Sequence, residues 1–435
     1  YVEALCREIQ ETSPEYREFQ VVSVFIGGGT PSVLQPEQTI HIMEVLKHCF
    51  ALTDTCEISM EMNPGTVTPE KMLAYRAVGI NRISIGLQSA NDEELKALGR
   101  IHTYADFLKA YEMAVEAGFT NINVDLMSAI PEQTLDSYQE TLQKVLTLQP
   151  QPAHISAYSL IVEEGTPFYE QELNLPDEET ERLMYEITDD ILRKAGYHRY
   201  EISNYAKEGR ECFHNKVYWQ RGNYLGFGIG SASLIRNVRF HNVTDVSSYV
   251  NSMPDKHGIE DANKEHGGKF QAEKDYLQNL REEIQELPVG EQMEEFMFLG
   301  LRMMEGVSER KFYENFGRRF EEVFPGVIEK HEKLGLLEVI REDTDNIREE
   351  PDLKEKCQEK QQGRKQEKEE RHEAQRGKVQ EKQCGKRKEG KKEKNEQEEQ
   401  QERKVRQGQR REFIRLRLTP HGIDVSNQVF VDFML

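Results

Sequence analysis

Short apolar runs alternate with amphipathic segments through the first 160 residues of the chain. Five runs are rich in β-branched residues and end in polar positions, a pattern typical of strands in a covered sheet. They predict strands over residues 21–26, 58–64, 83–89, 122–126 and 155–159. The segments between them predict helices over 36–50, 69–78, 92–98, 104–117 and 135–148, several of which open with proline or acidic residues and end near glycine.

The alternation of strands and helices predicts a parallel sheet. Such a sheet closes into a (β/α) barrel or stays open and doubly wound, and in both cases ligands bind at the carboxyl ends of the strands. Polar residues stand near these ends, and we expect them to share one rim: Thr30, Glu61, Gln88, Asp125 and Ser159.

Three consecutive glycines follow the first predicted strand. Gly27, Gly28 and Gly29 come directly after the run VVSVFI and precede Thr30. Glycine lets the backbone approach another group closely, because it has no Cβ atom. The sequence therefore predicts a ligand site at the end of this strand.

Five motifs, in this order and spacing, resemble one enzyme family. They are GGGTPS at 27–32, EMNPGTV at 61–67, RISIGLQS at 82–89, LGRIHT at 98–103 and NVDLMSAIPEQT at 123–134. Together they resemble the radical S-adenosylmethionine (SAM) enzymes of the oxygen-independent coproporphyrinogen III oxidase family, and within it the HemW-type heme chaperones. The resemblance covers about residues 1–340 and resumes at 413–420. It implies an α/β fold, a partial TIM-type (β/α) barrel with a small C-terminal winged-helix-like α+β domain.

The resemblance also implies a set of SAM-binding residues. These are Gly28, Gly29, Thr30, Glu61, Gln88, Arg100 and Asp125. SAM carries an ammonium, a carboxylate and ribose hydroxyls, which require acceptors, a cation and carboxylate or amide partners. We expect the backbone of residues 28–30 to face the ammonium and Arg100 to face the carboxylate. The remaining acidic and amide side chains then share the ribose and the other polar atoms.

Members of the family hold a [4Fe–4S] cluster through a C-x3-C-x2-C loop after the first barrel strand. This chain has no such triplet among its six cysteines, which are Cys6, Cys49, Cys56, Cys212, Cys357 and Cys384. Since the chain opens at Tyr1 without Met, we expect that a preceding segment with this loop is missing. As the sequence stands, we expect no metal ligands, no catalytic residue and no radical cleavage of SAM.

A second motif, CFHNKVYW at 212–219, contains the one tryptophan of the chain. In HemW-like proteins the corresponding H-N-x-x-Y-W stretch is associated with heme binding, so the resemblance implies heme contact at His214. The residues alone favour another interpretation, in which His214 and Asn215 are hydrogen-bonded turn residues and Tyr218 and Trp219 provide packing. The glycine-rich stretch at 224–233 has Ala232 where the family usually has histidine, and predicts a tight turn.

The C-terminal part predicts a small mixed domain. Phenylalanines at 312, 316, 320 and 324 form a helical core stripe, strands at 335–340 and 413–418 form a hairpin, and Thr419 begins a last helix. Residues 341–412, rich in Glu, Lys, Gln and Arg, predict a disordered insertion, with a charged interaction arm as the alternative. The predicted domains are 1–205 (barrel), 206–286 (family-specific extension) and 287–435.

Composition narrows the functional classes. The formal net charge of −21 argues against a nucleic-acid partner, because phosphate contacts need a basic surface. No apolar stretch approaches the roughly 20 residues of a membrane helix, so no stable membrane insertion is expected. Six unclustered cysteines give no disulfide framework, which favours the cytoplasm.

The resemblance leaves two functional classes. One is a chaperone that binds heme and transfers it to an acceptor apoprotein, and the HNKVYW and C-terminal LTPHGIDVSNQVF stretches favour it. The other is an enzyme of porphyrin biosynthesis, a coproporphyrinogen III oxidase that oxidatively decarboxylates propionate side chains. A SAM-binding barrel with another substrate is the third hypothesis.

Overall fold

The computed structural model describes residues 1–251, 277, 279–342 and 413–435. The chain forms two compact units. The larger contains Tyr1–Val307, Phe312–Glu338 and Arg417–Leu435, and the smaller contains Ser308–Lys311 and Val339–Leu416. Nearly all of the insertion predicted at 341–412 lies outside the described residues.

The largest sheet has seven strands in the order β1-β2-β3-β4-β5-β7-β6. Neighbours among the first five strands pair in parallel, whereas β7 pairs antiparallel with both β5 and β6. The strands are β1 Gln20–Ile26, β2 Ala51–Met62, β3 Arg82–Gln88, β4 Ile122–Ser128, β5 His154–Ser159, β6 His198–Arg199 and β7 Asn204–Ala206.

Helices connect the parallel strands as predicted, each predicted range agreeing with its helix within two residues. The helices up to residue 219 are α1 Val2–Thr12, α2 Pro36–Cys49, α3 Pro69–Ala77, α4 Asp92–Ala97, α5 Tyr104–Glu116, α6 Leu135–Leu146, α7 Glu178–Lys194 and α8 Phe213–Trp219. Thr68, Thr103 and Thr134 cap α3, α5 and α6 through their side chains, which explains where these helices begin. The predicted heme motif is therefore a short helix, α8, and not a turn.

The strand order selects a partial barrel over a doubly wound sheet. Each of the first five strands lies beside its predecessor, so successive right-handed crossovers place their helices on one face of the sheet. In a doubly wound sheet the strand order reverses at one point, which places helices on both faces. That face is the main apolar core, with Ile83, Ile85, Val124 and Ile155 fully buried. β2 is longer than predicted, since Gln20 pairs with Ala51 although the start of β2 is polar.

The opposite, inner face of the sheet is polar. Ser84 of β3 pairs in register with Asn123 of β4, which pairs with His154 of β5. Buried polar groups need hydrogen-bond partners, and these side chains supply them to one another. Residues on the inner face that are at most 6% exposed include Ser59, Arg82, Ser84, Asn123, His154, Ser156 and Asn204.

The remaining strands form two three-stranded sheets, ordered β10-β9-β8 and β11-β13-β12. The strands are β8 Ala232–Ile235, β9 Val238–Asn242, β10 Arg281–Glu286, β11 Val307–Ser308, β12 Leu337–Arg341 and β13 Ile414–Leu418. β12 and β13 are neighbours, as expected of the predicted hairpin strands. β11 was not predicted, because a strand of two residues is too short to show an alternating apolar pattern.

Short helices make up the rest of the described C-terminal part. They are α9 Val246–Asn251, α10 Val289–Gly300, α11 Glu309–Phe316, α12 Phe320–Val323, α13 Val327–Lys333, α14 Pro420–Asp424 and α15 Ser426–Val431. Phe312, Phe320 and Phe324 are buried, as the predicted stripe requires. The stripe does not lie on one helix, however, because Gly317 adopts a φ of +68° and separates α11 from α12.

Candidate functional site

The glycines after β1 lie against Glu61 of β2. The backbone N–H of Gly28 donates a hydrogen bond to Glu61 Oε2 at 3.2 Å. A Cβ atom at Gly27 would lie 2.9 Å from the same oxygen, so only glycine leaves room for the carboxylate. Gly28 and Gly29 have φ angles of +79° and +97°, which glycine adopts without strain.

Thr30 and Gln88 both lie near Asn63, which follows β2. Asn63 Nδ2 donates to Thr30 Oγ1 at 3.0 Å. On the other side, a Cβ at Gly86 would lie 3.6 Å from Asn63 Oδ1 and 3.0 Å from Gln88 Nε2. Three predicted site residues, Thr30, Glu61 and Gln88, thus stand at the carboxyl ends of β1, β2 and β3.

Asp125 of β4 is held by its neighbours on the inner face. Its two carboxylate oxygens accept hydrogen bonds from Ser84 Oγ at 2.9 Å and from Asn123 Nδ2 at 2.7 Å. Burial raises the pKa of Asp125, and burial together with the Asp125 charge raises the pKa of Glu61. The two carboxylates are therefore close enough to repel each other, and a ligand with positive charge or hydroxyl donors would relieve that repulsion.

Two further predicted residues form no hydrogen bond with this group in the described structure. Arg100 is in the loop after α4, and none of its contacts in the described structure joins it to the other predicted SAM residues. Ser159, at the end of β5, donates its hydroxyl hydrogen to Glu181 of α7 and lines a separate cavity. The expected common rim is thus seen for β1 to β4, and β5 contributes to another space.

His214 of α8 packs against β1. Its Nδ1 atom lies 3.1 Å from Ser23 Oγ, and its ring stacks on Phe25 with centroids 4.8 Å apart. Burial lowers the pKa of His214 to about 4, so the imidazole is neutral at physiological pH. If Nδ1 carries the proton and donates to Ser23, the lone pair of Nε2 is free for a metal.

Glu57 of β2 fixes the beginning of α8. Its carboxylate accepts the backbone N–H of Phe213 at 3.0 Å and that of His214 at 3.1 Å. Arg82, 2% exposed, lies near enough for Glu57 to raise its pKa. Sequence analysis missed both residues, although Glu57, Ser59 and Glu61 alternate with apolar residues, the signal of a polar inner face.

A cavity of about 910 Å³ opens beside α8 in the larger unit. Tyr218 and Trp219 of α8 line it, whereas His214 does not, and Tyr218 contacts the His214 ring edge-on at 4.9 Å between centroids. The volume lies within the range of small-molecule and cofactor sites. Its aromatic wall includes Tyr158, Tyr185, Tyr205, Tyr218, Trp219 and Tyr224.

The cysteines of the described residues do not fit an iron–sulfur cluster. Within the described ranges, no three His, Cys, Asp or Glu side chains are placed to hold a metal ion. Burial raises the pKa of Cys6, Cys56 and Cys212 to about 11, which disfavours the thiolate that a cluster requires.

Across the described part of the chain, every helix is too short or too polar to span a bilayer.

Two family models match the chain. The Radical SAM superfamily model matches residues 2–145, and the HemN C-terminal domain model matches residues 287–342. The chain also has the fold of coproporphyrinogen III oxidase (HemN) from Escherichia coli, with a TM-score of 0.63 at 21% identity over 78% of this chain and 77% of that one.

Curated relatives extend over most of the chain. It is 36% identical to the heme chaperone HemW of Bacillus subtilis over 342 residues, 78% of this chain and 84% of that protein. It is 34% identical to HemW of Lactococcus lactis over 328 residues, covering 74% and 79% of the two chains. The E. coli HemW shares 37% identity over 231 residues, 53% of this chain and 61% of that one. With these similarities and the partial barrel, the chain belongs to the HemW family of radical SAM proteins.

Proposed function

We propose that this protein is a heme chaperone, which binds heme and transfers it to an acceptor apoprotein. The observation that carries the proposal is the position of α8, which holds a neutral histidine against the barrel and two aromatic rings in the wall of a large cavity. The relatives from B. subtilis and L. lactis, which bear the name heme chaperone, support it.

His214 is the proposed iron ligand. A neutral imidazole with one nitrogen hydrogen-bonded is the usual form of a histidine that ligates metal, and Ser23 provides the hydrogen-bond partner. Tyr218 contacts both the imidazole and the cavity, so we expect its ring to turn aside when heme binds.

Family membership also implies SAM and a [4Fe–4S] cluster. We assign SAM to the carboxyl ends of β1 to β4, with Gly28, Gly29, Thr30, Glu61, Gln88, Arg100 and Asp125 as its contacts. The glycine cradle around Glu61 and the two facing carboxylates fit its ammonium and ribose hydroxyls. Bound SAM supplies a sulfonium nucleoside, and we assign no step to a cluster because the cysteines among the described residues do not fit one.

The predicted domain limits at 205/206 and 286/287 stay predictions, as does a cytoplasmic location. The four described cysteines are free thiols, which supports a reducing compartment.

Hemin titration of the purified chain, followed by the Soret band, tests the heme proposal. We expect saturable binding with a shifted Soret maximum, and loss of that shift in His214→Ala. His48→Ala is the matched control, because it removes an exposed imidazole from α2 on the other side of the sheet. Hemin transfer to apomyoglobin, a surrogate acceptor, then tests release. The proposal fails if the wild-type chain gives no Soret shift, or if both variants behave like the wild type.

A further inference from the structure

The cavity beside α8 contains an arginine that forms no ion pair with any carboxylate among the described residues. Four arginines line it, Arg182, Arg221, Arg239 and Arg302. Arg182 forms ion pairs with Glu186 and Asp424, and Arg221 and Arg239 each lie 2.7 Å from a Glu295 oxygen. For Arg302, which follows α10, the described part of the chain provides no carboxylate within ion-pairing distance.

Arg302 is held in place without being neutralised. Its guanidinium lies over the Trp219 ring at 4.5 Å from the centroid, a cation–π contact that fixes the position of the side chain. The Nε atom is buried and has no hydrogen-bond partner among the described residues. A buried donor of this kind costs free energy unless an acceptor reaches it, so the site is incomplete without a ligand.

The adjoining wall shows further unsatisfied polar atoms. The indole Nε1 of Trp219 is buried without a partner, and so is Oδ1 of Asn204, a side chain only 2% exposed. Asn204 Nδ2 meanwhile donates to Tyr158 Oη at 3.4 Å, and Ser156 also hydrogen-bonds with that hydroxyl. Two donors of the wall, on Arg302 and Trp219, thus remain for an acceptor.

Two neighbouring groups modulate the charge of Arg302. Burial lowers the pKa of Arg302, whereas the charges of Glu201, 1% exposed, and Tyr158 act in the opposite direction. Burial raises the pKa of Glu201, which weakens its competition as a counter-ion, and its oxygens already accept hydrogen bonds from the Ser203 N–H and from Asn204. The charge of Arg302 is therefore available to a ligand.

We infer that Arg302, with the Trp219 indole N–H, binds a propionate carboxylate of the tetrapyrrole whose ring lies against the aromatic wall of this cavity. The inference rests on the proposed heme function and identifies the ligand group that the cavity recognises. A carboxylate matches the guanidinium in charge and hydrogen-bond geometry, and a flat macrocycle matches a wall of tyrosines and tryptophan. It assigns the orientation of the ligand to Arg302. The assignment of the iron to His214 comes from the proposed function and requires the Tyr218 ring to turn aside, because His214 does not line the cavity.

The test compares hemin with hemin dimethyl ester, whose propionates carry no charge. We expect the wild-type chain to bind hemin about 10-fold more tightly than the ester, the size of one charge-assisted hydrogen bond. Arg302→Gln should bind both ligands with the weaker affinity, and Arg302→Lys should keep part of the preference. Arg182→Gln is the matched control and should keep all of it, because Arg182 is 60% exposed and already paired.

The outcomes separate this inference from the proposed function. If the wild-type chain binds hemin through His214 but does not distinguish the ester, the assignment of Arg302 is wrong and the heme function stands. The same conclusion follows if thermal unfolding shows that Arg302→Gln is normally folded and this variant still prefers hemin to the ester as strongly as the wild type does. If no hemin binds, both proposals fail.

Discussion

The carboxylate of Glu57 accepts the backbone N–H of His214 at 3.1 Å, although 157 residues separate them in the chain. The same carboxylate accepts the N–H of Phe213, so one side chain of β2 satisfies two of the orphan donors at the start of α8. The helix that carries the proposed heme ligand is therefore anchored to the barrel at its first turn.

Replacing this anchor should weaken both the fold and heme binding. We expect Glu57→Gln to lower the free energy of unfolding by about 2 kcal/mol. The substitution removes charge-assisted hydrogen bonds, and it also removes a negative charge that balances the buried Arg82 guanidinium. Hemin affinity should fall while the Soret maximum of the bound form stays the same, because His214 still ligates. Urea unfolding and hemin titration measure these effects. Glu44→Gln, on the exposed side of α2, should change neither. An unaltered affinity in Glu57→Gln would show that α8 needs no anchor.

The low pKa of His214 predicts a specific dependence on pH. Burial lowers this pKa from 6.5 to about 4, so between these values the unfolded chain binds a proton that the folded chain does not. The stability that a neutral His214 contributes is complete above pH 6.5 and is lost as the pH falls toward 4. We expect wild-type protein to lose more unfolding free energy than His214→Asn between pH 7 and pH 4.5. Hemin binding should persist to about pH 5.

Urea unfolding at a series of pH values measures the difference between the two curves. His48→Asn should follow the wild-type curve, because its imidazole is exposed in both states. Parallel curves for wild type and His214→Asn would contradict the prediction.

The pair of carboxylates in the proposed SAM site predicts that removing one of them raises the stability of the fold and weakens SAM binding. Burial and the Asp125 charge raise the pKa of Glu61, so the folded state favours the protonated form and loses stability as the pH rises through that raised pKa. We expect Glu61→Gln to be more stable than the wild type by about 1 kcal/mol at pH 8, with a smaller gain at pH 5. Its amide oxygen can still accept the Gly28 N–H.

SAM affinity should change in the opposite direction. Isothermal titration calorimetry is expected to show about 10-fold weaker binding by Glu61→Gln, because a charged acceptor for the ligand is lost. Glu112→Gln, on the exposed face of α5, should change neither quantity. Weaker binding without any stability gain at pH 8 would mean that the two carboxylates do not repel each other.

Local sequence was sufficient for the first five strands and the helices between them. Apolar periodicity located them, and residues such as Thr68 and Thr103 fixed the helix starts through their own side chains. It also predicted that Thr30, Glu61, Gln88 and Asp125 stand at strand ends, since parallel strands place these ends at one edge. β2 was the exception, because its first half pairs with β1 through backbone hydrogen bonds that do not depend on apolar side chains.

The environment of the second site could not be predicted in this way. α7 leads into the short strands β6 and β7, of which β7 runs antiparallel to both β5 and β6, and two- and three-residue strands leave no periodic signal. The pairing of Arg221 and Arg239 with Glu295 joins segments that are far apart in the chain, and so does the contact of Arg302 with Trp219.

What the sequence by itself determined is the succession of strands and helices, the glycines that admit Glu61, and the family motifs, because each depends on residues within one or two turns of chain. Only the tertiary structure decided that His214 lies neutral on Phe25, that Glu57 caps its helix and that Arg302 lines a cavity without an ion pair in the described part of the chain. These properties depend on burial and on charges brought together from distant segments, and both exist only after the sheet has curved and its inner face has closed.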